Sequence, residues 1–466
     1  MPSRIPKVAL VAILVLMVGC SQPAQAPAST APRTLSGSIG AAAYEIDVPS
    51  GWNKTLFLWS HGYAAPGQAN PAQAAPSGDA RAWLLGHHYA IAGSSYSSTG
   101  WALEDAFKDQ IALLDYFNSH VGKPARVIAW GASLGGIITA GLAQLHPERF
   151  AAAMPLCGVL AGGIATWNTE LDAAFAFKTL LAPQSALKLT HVTDGASNLQ
   201  LAQQTLSTAS ATPQGQARLA LVGALIDLPG WFDPTQPEPA PTDYAAQVQQ
   251  QIQWEARVDF AFAFRYRTDI EQRAGGNPSW NEGVNYSALL AGSPGVDEVR
   301  ALYRQAGLDL DGDLRALAAA PRIKADPAAA AYLQRYITFD GRLDVPVLSM
   351  HTTGDGLVIV PNEDAYAGVV GAAGKQDLLR QVFVHRAGHC TFTAAETIAA
   401  LQVLLQRLDT GAWDDAALQP AALNTGALAQ GAKANSFFGL DVPPAFVAYK
   451  PASYPRPFDS RSAIPA

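Results

Sequence analysis

Charge is scarce in this chain. Only 15% of its 466 residues are Asp, Glu, Lys or Arg, against 49% hydrophobic, and the formal net charge is −7. No basic run offers an electrostatic footprint for a phosphate backbone, so nucleic-acid binding is not expected. The apolar excess is enough to build a sizeable core. Long apolar runs are missing as well: residues 8–18 are uninterrupted but too short to cross a bilayer. No internal repeat is visible, which removes solenoids and propellers. Metal-ligand spacing is missing too. His87-His88 has no spaced Cys or His partners for zinc and reads as a surface pair. Asp309-Leu310-Asp311-Gly312-Asp313 looks like a calcium loop, but its glycine comes early and Ala320 stands where the bidentate Glu belongs, so it reads as a polar turn. Cysteine is nearly absent, with three residues at Cys20, Cys157 and Cys390.

The N-terminus reads as a targeting signal rather than as fold. Arg4 and Lys7 form a basic start, residues 8–18 an apolar centre, and Met17-Val18-Gly19-Cys20 follows. That tetrapeptide resembles a bacterial lipobox, with Met17 where Leu is usual. The resemblance implies a signal peptide over residues 1–19, cleavage before Cys20, and lipidation of its thiol. An ordinary secretory signal is the alternative. Ser21 resembles the pattern of outer-membrane lipoproteins. Residues 20–34, rich in Ala, Pro, Ser and Gln, read as a tether. The chain is therefore expected in the cell envelope, held at the outer membrane through lipid alone, with a periplasmic or secreted form as the alternative. With Cys20 lipidated, Cys157 and Cys390 remain as an even pair in an oxidising compartment.

The most informative stretch is residues 126–145. Val127, Ile128, Ala129 and Trp130 form a short apolar run typical of a buried parallel strand. Gly131-Ala132-Ser133-Leu134-Gly135 follows, a G-x-S-x-G, and residues 137–145 read as a helix. Strand, tight turn and helix make this a nucleophile elbow, which lifts Ser133 above the sheet edge. The glycines on either side let strand and helix pass closely without a Cβ clash. The helix N-terminus places a positive dipole end where an oxyanion would form.

Around the elbow, strands and helices alternate. Residues 35–49 suit antiparallel edge strands, 55–59 and 89–93 further strands, and 80–86 a short helix. Residues 103–120 have a helical period (Phe107, Ile111, Leu114, Phe117), and 150–156 form another strand. From 162 to about 340 the pattern is helical, with no convincing buried strand. Strands resume at 345–351 and 381–385, and 393–408 is a helix with Glu396 and Arg407 placed to suit its dipole. This reads as an open parallel sheet carrying an inserted cap. Two loops after the late strands carry chemistry. Gly354-Asp355 follows the first, with Asp340 and Asp364 as less well placed acids. Gly388-His389 follows the second, with His385 as a rival and His351 as a structural histidine. His61-Gly62-Tyr63 follows the strand at 55–59. The stretch from Ser133 to Asp355 is several times longer than that from Asp355 to His389, and the surplus is the helical block.

A His-Gly after a strand, an elbow, a Gly-Asp after a strand and a Gly-His after a strand, in that order, resemble the α/β-hydrolase family, in the form of a secreted bacterial serine esterase or lipase-like lipoprotein. The resemblance covers the core, residues 35–160 and 341–410. It does not extend to the cap (161–340) or to the tail (411–466), which is expected to wrap the surface. It implies an α/β fold with a mostly parallel sheet and a large helical cap. It also implies a Ser133–Asp355–His389 triad, an oxyanion hole formed by the N–H groups of Tyr63 (with Gly62 behind it) and Leu134, and no metal or organic cofactor. Tannase and feruloyl-esterase hydrolases tie down the histidine loop through a cysteine beside the histidine. Their partner cysteine precedes the serine, where this chain has Ala132, so the partner here would be Cys157. Both Cys157 and Cys390 fall at the sheet edge that carries Ser133. The expected activity is hydrolysis of a small or oligomeric carboxylic ester through an acyl-enzyme. A peptidase or amidase on the same fold is the nearest alternative, and an inactive, surface-anchored binding lipoprotein is another. A peptidase would want an acidic pair for a substrate amine, and none stands out. Among the cap aromatics, most are expected to form its core and a few to line a pocket above Ser133, joined there by residues 275–281.

Overall fold

The computed structural model describes residues 1–2, 31–437 and 439–465. The signal segment, Cys20 and most of the tether lie outside the described residues.

The first strands are short and β-rich in sequence. β1 (Arg33–Ile39) and β2 (Ala42–Val48) pair antiparallel across a turn at Gly40, whose φ of 60° suits glycine. β3 (Thr55–Ser60), β4 (Ala90–Ser94), β5 (Arg126–Ala132), β6 (Ala152–Leu156), β7 (Val347–Gly354) and β8 (Leu379–Ala387) are parallel to one another. Helices α1 (Gly78–Gly86), α2 (Leu103–His120) and α3 (Leu134–Leu145) connect the first of these. Alternation along each strand splits the side chains between two faces. Leu56, Leu58, Val127 and Ala129 pack with α2 and α3 in one core. Phe57, Trp59, Ile128 and Trp130 pack on the other face with α1 and α14 (Ala394–Thr410). Burial on both faces explains why the strands read as continuous apolar runs.

Between β6 and β7 the described chain is helical. Helices α4 to α12 run from Gly162–Leu181 to Pro327–Arg335, with two π-helical turns at Glu255–Asp259 and Ala261–Tyr266. This block has its own core, built on Phe175, Phe177, Trp254, Phe260, Phe264 and Tyr286. After β7 come α13 (Asn362–Ala372), β8 and α14. Thr393 caps α14 through a capping box with Glu396.

The tail does more than wrap the surface. It forms α15 (Pro420–Leu428), a small ribbon of β9 (Ser436–Phe437) and β10 (Leu440–Asp441), and β11 (Phe446–Val447). β11 adds antiparallel to β8, giving the sheet order β1-β2-β4-β3-β5-β6-β7-β8-β11. A two-residue strand has no periodicity to read; the open edge of β8 selects it.

Candidate active site

Ser133 sits between β5 and α3 with φ 60° and ψ −122°. A non-glycine residue held there is strained, and strain of this kind belongs to the nucleophile elbow. The neighbouring glycines are required by space. A Cβ on Gly135 would lie 1.9 Å from the Ser60 carbonyl oxygen, and one on Gly131 would lie 2.5 Å from the Gly135 carbonyl oxygen. Gly62 approaches the nucleophile itself: its Cβ would fall 3.3 Å from Ser133 Cβ. His61 fixes this loop. Its ring stacks on Tyr96 at 4.1 Å, and its nitrogens lie 2.7 and 3.0 Å from the carbonyl oxygens of Gly62 and Ser95. Burial lowers its pKa, against those two carbonyls. Among the described residues neither the Tyr63 N–H, in the loop after β3, nor the Leu134 N–H, at the first position of α3, donates to a protein acceptor. Both expected oxyanion donors are thus uncommitted.

The acid and the base come together. His389 Nδ1 lies 2.7 Å from Asp355 Oδ2, and the Asp355 side chain is fully buried. The other carboxylate oxygen, Oδ1, accepts the N–H groups of Leu357 (3.1 Å) and Val358 (3.0 Å). An acid held this way orients the imidazole without rotating. Ser133 Oγ makes no hydrogen bond to His389 among the described residues. Such catalytic hydrogen bonds often tighten only around substrate.

The histidine loop is bound from several sides. Cys157 and Cys390 form a disulfide with a Cα separation of 5.4 Å, as expected from sequence. The Cys390 sulfur lies 3.4 Å from His389 Nε2. Thr352 Oγ1 donates to the Gly388 carbonyl at 2.8 Å. Arg386 bridges β8 to α14 through two bonds to Glu396, at 2.7 and 2.9 Å, and both side chains are buried. Glu396 therefore does more than suit a dipole: it completes the cap of α14 and anchors the loop.

The rival residues are engaged elsewhere. His385 is exposed, 3.0 Å from Glu238. Asp340 accepts the Arg342 N–H. His351 is buried behind the acid, with Nδ1 3.1 Å from Glu363 Oε1 and Nε2 2.7 Å from the Val358 carbonyl. Burial opposes its charge, but the Glu363 hydrogen bond and the Glu363 and Asp355 charges outweigh burial and raise its pKa. His87 and His88 are exposed and bonded to the carbonyls of Trp83 and Ser50. Asp309 precedes α11 (Leu310–Ala319) at the N-cap position without a side-chain capping bond, and Asp313 pairs with Arg218 at 2.7 Å, so that stretch is a polar turn and helix start.

Above Ser133 lies a narrow cavity of about 30 Å³, walled by Tyr63, Trp101, Trp167, Phe262, Leu357 and Val358. The cap thus lends Trp167 and Phe262 to the pocket. Residues 275–281 do not reach it. Gly275 ends α8 (Arg267–Ala274), and Asn277 and Ser279 are buried in hydrogen bonds to Arg267, Lys324 and Trp167.

Sequence reasoning missed the acids beside this cavity. Glu170 of α4 lines it. A second, smaller cavity of about 20 Å³ shares Val159, Thr166, Glu170, Leu357 and Val358 with the first and adds Asp259. Burial pushes the Glu170 carboxyl up to about 8, with Arg267 acting against it. Asp259 is pushed well up by burial and by the charges of Glu170, Glu255 and Asp355. An acidic pair, not apparent in the sequence, is therefore present.

A model of the prolyl oligopeptidase family matches residues 93–188, a span that includes the elbow. The o-phthalyl amidase of Xanthobacter agilis is 30% identical over 421 residues, covering 83% of this chain and 90% of that protein. Among solved structures, an esterase from Aspergillus oryzae is similar with a TM-score of 0.40 and 12% identity, over 82% of this chain and 80% of its own. A serine hydrolase from Cycloclasticus zankles is similar with a TM-score of 0.35 and 15% identity, over 82% and 98%. Identity to the amidase over most of both chains, on a sheet that presents an elbow serine, makes this chain a serine hydrolase of the α/β-hydrolase superfamily, in the same family as the Xanthobacter agilis o-phthalyl amidase.

Proposed function

We propose that the chain cleaves carboxylic esters of compact, aromatic or apolar acids through an acyl-enzyme on Ser133. The observation that carries this reading is the position of Ser133 at the floor of an aromatic-walled cavity, with the His389–Asp355 pair on the same sheet edge. Ser133 Oγ attacks the carbonyl carbon, and its proton passes to His389 Nε2. The carbonyl oxygen becomes an oxyanion held by the Leu134 and Tyr63 N–H groups, each such donor being worth ~10²–10³ in rate. Collapse expels the alcohol, which takes the proton from His389. Water then enters by the same path and releases the acid. Asp355 orients the imidazole and stays ionised.

Amide cleavage is the second reading, favoured by the 30% identical relative, which is an amidase. The two differ at the leaving group, since an amine must be protonated by His389 before it departs. Matched 4-nitrophenyl esters and 4-nitroanilides of benzoic acid separate them. Ester hydrolysis that is abolished in Ser133→Ala, along with fluorophosphonate labelling, is the expected result. Anilide turnover equal to or faster than ester turnover would hand the function to the amidase reading.

A further inference from the structure

His351 stands behind Asp355 and does not line the cavity, yet its surroundings commit its charge. It is fully buried on β7, and both of its ring nitrogens face acceptors. Nδ1 lies 3.1 Å from Glu363 Oε1, and Nε2 lies 2.7 Å from the Val358 carbonyl oxygen. A neutral imidazole has one N–H and would turn a lone pair on one of these acceptors. An imidazolium satisfies both. Glu363, near the start of α13, is buried too, and its Oε2 accepts from the Gln381 side-chain amide of β8 and from the Ser349 hydroxyl. Those donors hold it as a carboxylate. A buried carboxylate needs a cation, and among the described residues the one within salt-bridge reach is His351. The same ring reaches the acid of the site. His351 Nε2 lies 3.7 Å from Asp355 Oδ2, the oxygen that faces His389. The Val358 peptide ties the two together, with its N–H on Asp355 Oδ1 and its carbonyl on His351. Other titratable neighbours are turned away or neutral. β6 carries none, and Arg386 and His385 of β8 are turned to Glu396 and Glu238. Tyr366 of α13 is buried, and its pKa is raised by burial and by the Glu363 and Asp340 charges.

The geometry points to His351 as a positioning residue for the hydrolysis: a fixed buried cation, paired with Glu363, that faces the same Asp355 oxygen as His389 and sets the pH at which His389 becomes a free base. This rests on the acyl-hydrolase reading above. His389 must be neutral to take the Ser133 proton, and it is cationic once it has. An Asp355 charge with no other cation beside it would hold a proton on His389 in the resting enzyme. A second positive charge at the same carboxylate weakens that hold, because the two cations repel. His351 touches no substrate and acts through Asp355. By bonding the Val358 carbonyl it also closes the loop 355–358, so it orients the carboxylate while offsetting its charge.

The test compares the pH profile of kcat/KM for the 4-nitrophenyl ester of benzoic acid in the wild-type protein and in His351→Gln, with circular dichroism to check the fold. Gln keeps polar atoms near the two acceptors but carries no charge. The acid limb of the variant is expected about 1 pH unit higher, while the plateau above it keeps most of its height. A merely structural role would lower the plateau and leave the limb in place. That result, or a limb moved to lower pH, would overturn the proposal. Should the variant fail to fold, NMR of the wild-type protein with isotope-labelled histidine decides it. At about pH 8 exposed imidazoles have lost a proton, and one histidine is expected to keep protons on both ring nitrogens. Finding no such histidine would overturn the proposal. If no ester is cleaved and Ser133 is not labelled by fluorophosphonate, the hydrolase reading fails separately. Titration of the His389 ring by NMR in the two proteins then reads the same shift, and an unmoved titration counts against His351.

Discussion

Asp355 has both carboxylate oxygens occupied, one by His389 and one by the amides of its own loop. Asp355→Asn keeps the shape and the loop bonds but presents the wrong partner to Nδ1. The fold should be intact and kcat lower by up to ~10⁴, read from burst and steady-state kinetics beside a circular dichroism spectrum. Near-normal kcat in that variant would move the role to another acid, although Asp340 is turned to Arg342. The Ser133 elbow and the Asp355–His389 pair were legible because each residue sits in a strand-to-loop transition whose neighbours announce it: glycines around Ser133, Gly354 before Asp355, Gly388 before His389. Glu170 and Asp259 were not. Each lies within a helical stretch of the cap, and only the fold brings residues so far apart in sequence to one chamber. His351 was placed as structural, but its partner Glu363 could not be read, because neither residue belongs to a motif.

At the level of elements, the histidine loop and the cap behave differently. The loop is clamped by the Cys157–Cys390 disulfide, which links positions separated by 233 in sequence and so encloses the whole cap. Such a bond stabilises by about 2–5 kcal/mol. Reduction should lower activity before secondary structure is lost, because the sulfur of Cys390 lies against His389. Thiol titration of the unfolded, unreduced chain should find neither cysteine reactive, and two reactive thiols from this pair would refute the bond. The cap responds instead to pH. Burial raises the Glu298 carboxyl to about 7, against the hydrogen bond from Gln251. A carboxyl raised in the folded state holds its proton longer there than in the unfolded chain. Its contribution is therefore complete below the ordinary value of 4.5 and is lost as pH rises through about 7. Glu298→Gln should raise the melting temperature at pH 8 while changing it little at pH 5. Equal shifts at both pH values would count against this. The helical block itself was legible from its period and from the long gap before Asp355. The pocket contribution assigned to residues 275–281 was not sound, since a turn-rich sequence does not reveal which way the turn faces.

The whole molecule is joined by its tail, the part least legible in the sequence. We propose that the other end is joined to a membrane through lipid on Cys20. Cys20→Ala should then release the protein from the membrane fraction, and an unmodified N-terminus on the wild-type protein would exclude it. The tail runs from the sheet to the cap. β11 pairs with β8, and the Ala445 N–H donates to Glu396 at 3.0 Å, so the tail touches the element that anchors the histidine loop. Further on, Tyr454 accepts from Thr169 of α4 at 3.2 Å, and Phe458 meets Trp280 edge-on at 5.8 Å. Arg456 then bonds Asp172 of α4 at 2.7 Å, with its side chain 13% exposed and that of Asp172 1%. Burial raises the Asp172 pKa, and Arg456 acts against it. This is a buried ion pair between the last segment of the chain and the first helix of the cap. Removing one partner of such a pair leaves an uncompensated charge and costs about 3–5 kcal/mol, whereas replacing both costs far less. Arg456→Ala should therefore lower stability by that amount in urea titration, and the double variant Arg456→Ala with Asp172→Asn should recover much of it. The same single change should raise KM more than it lowers kcat, because α4 carries Trp167 and Glu170 into the cavity while Ser133, Asp355 and His389 stand at the sheet edge. A loss of under about 1 kcal/mol, the range of an exposed pair, would show that the tail does not hold the cap in place.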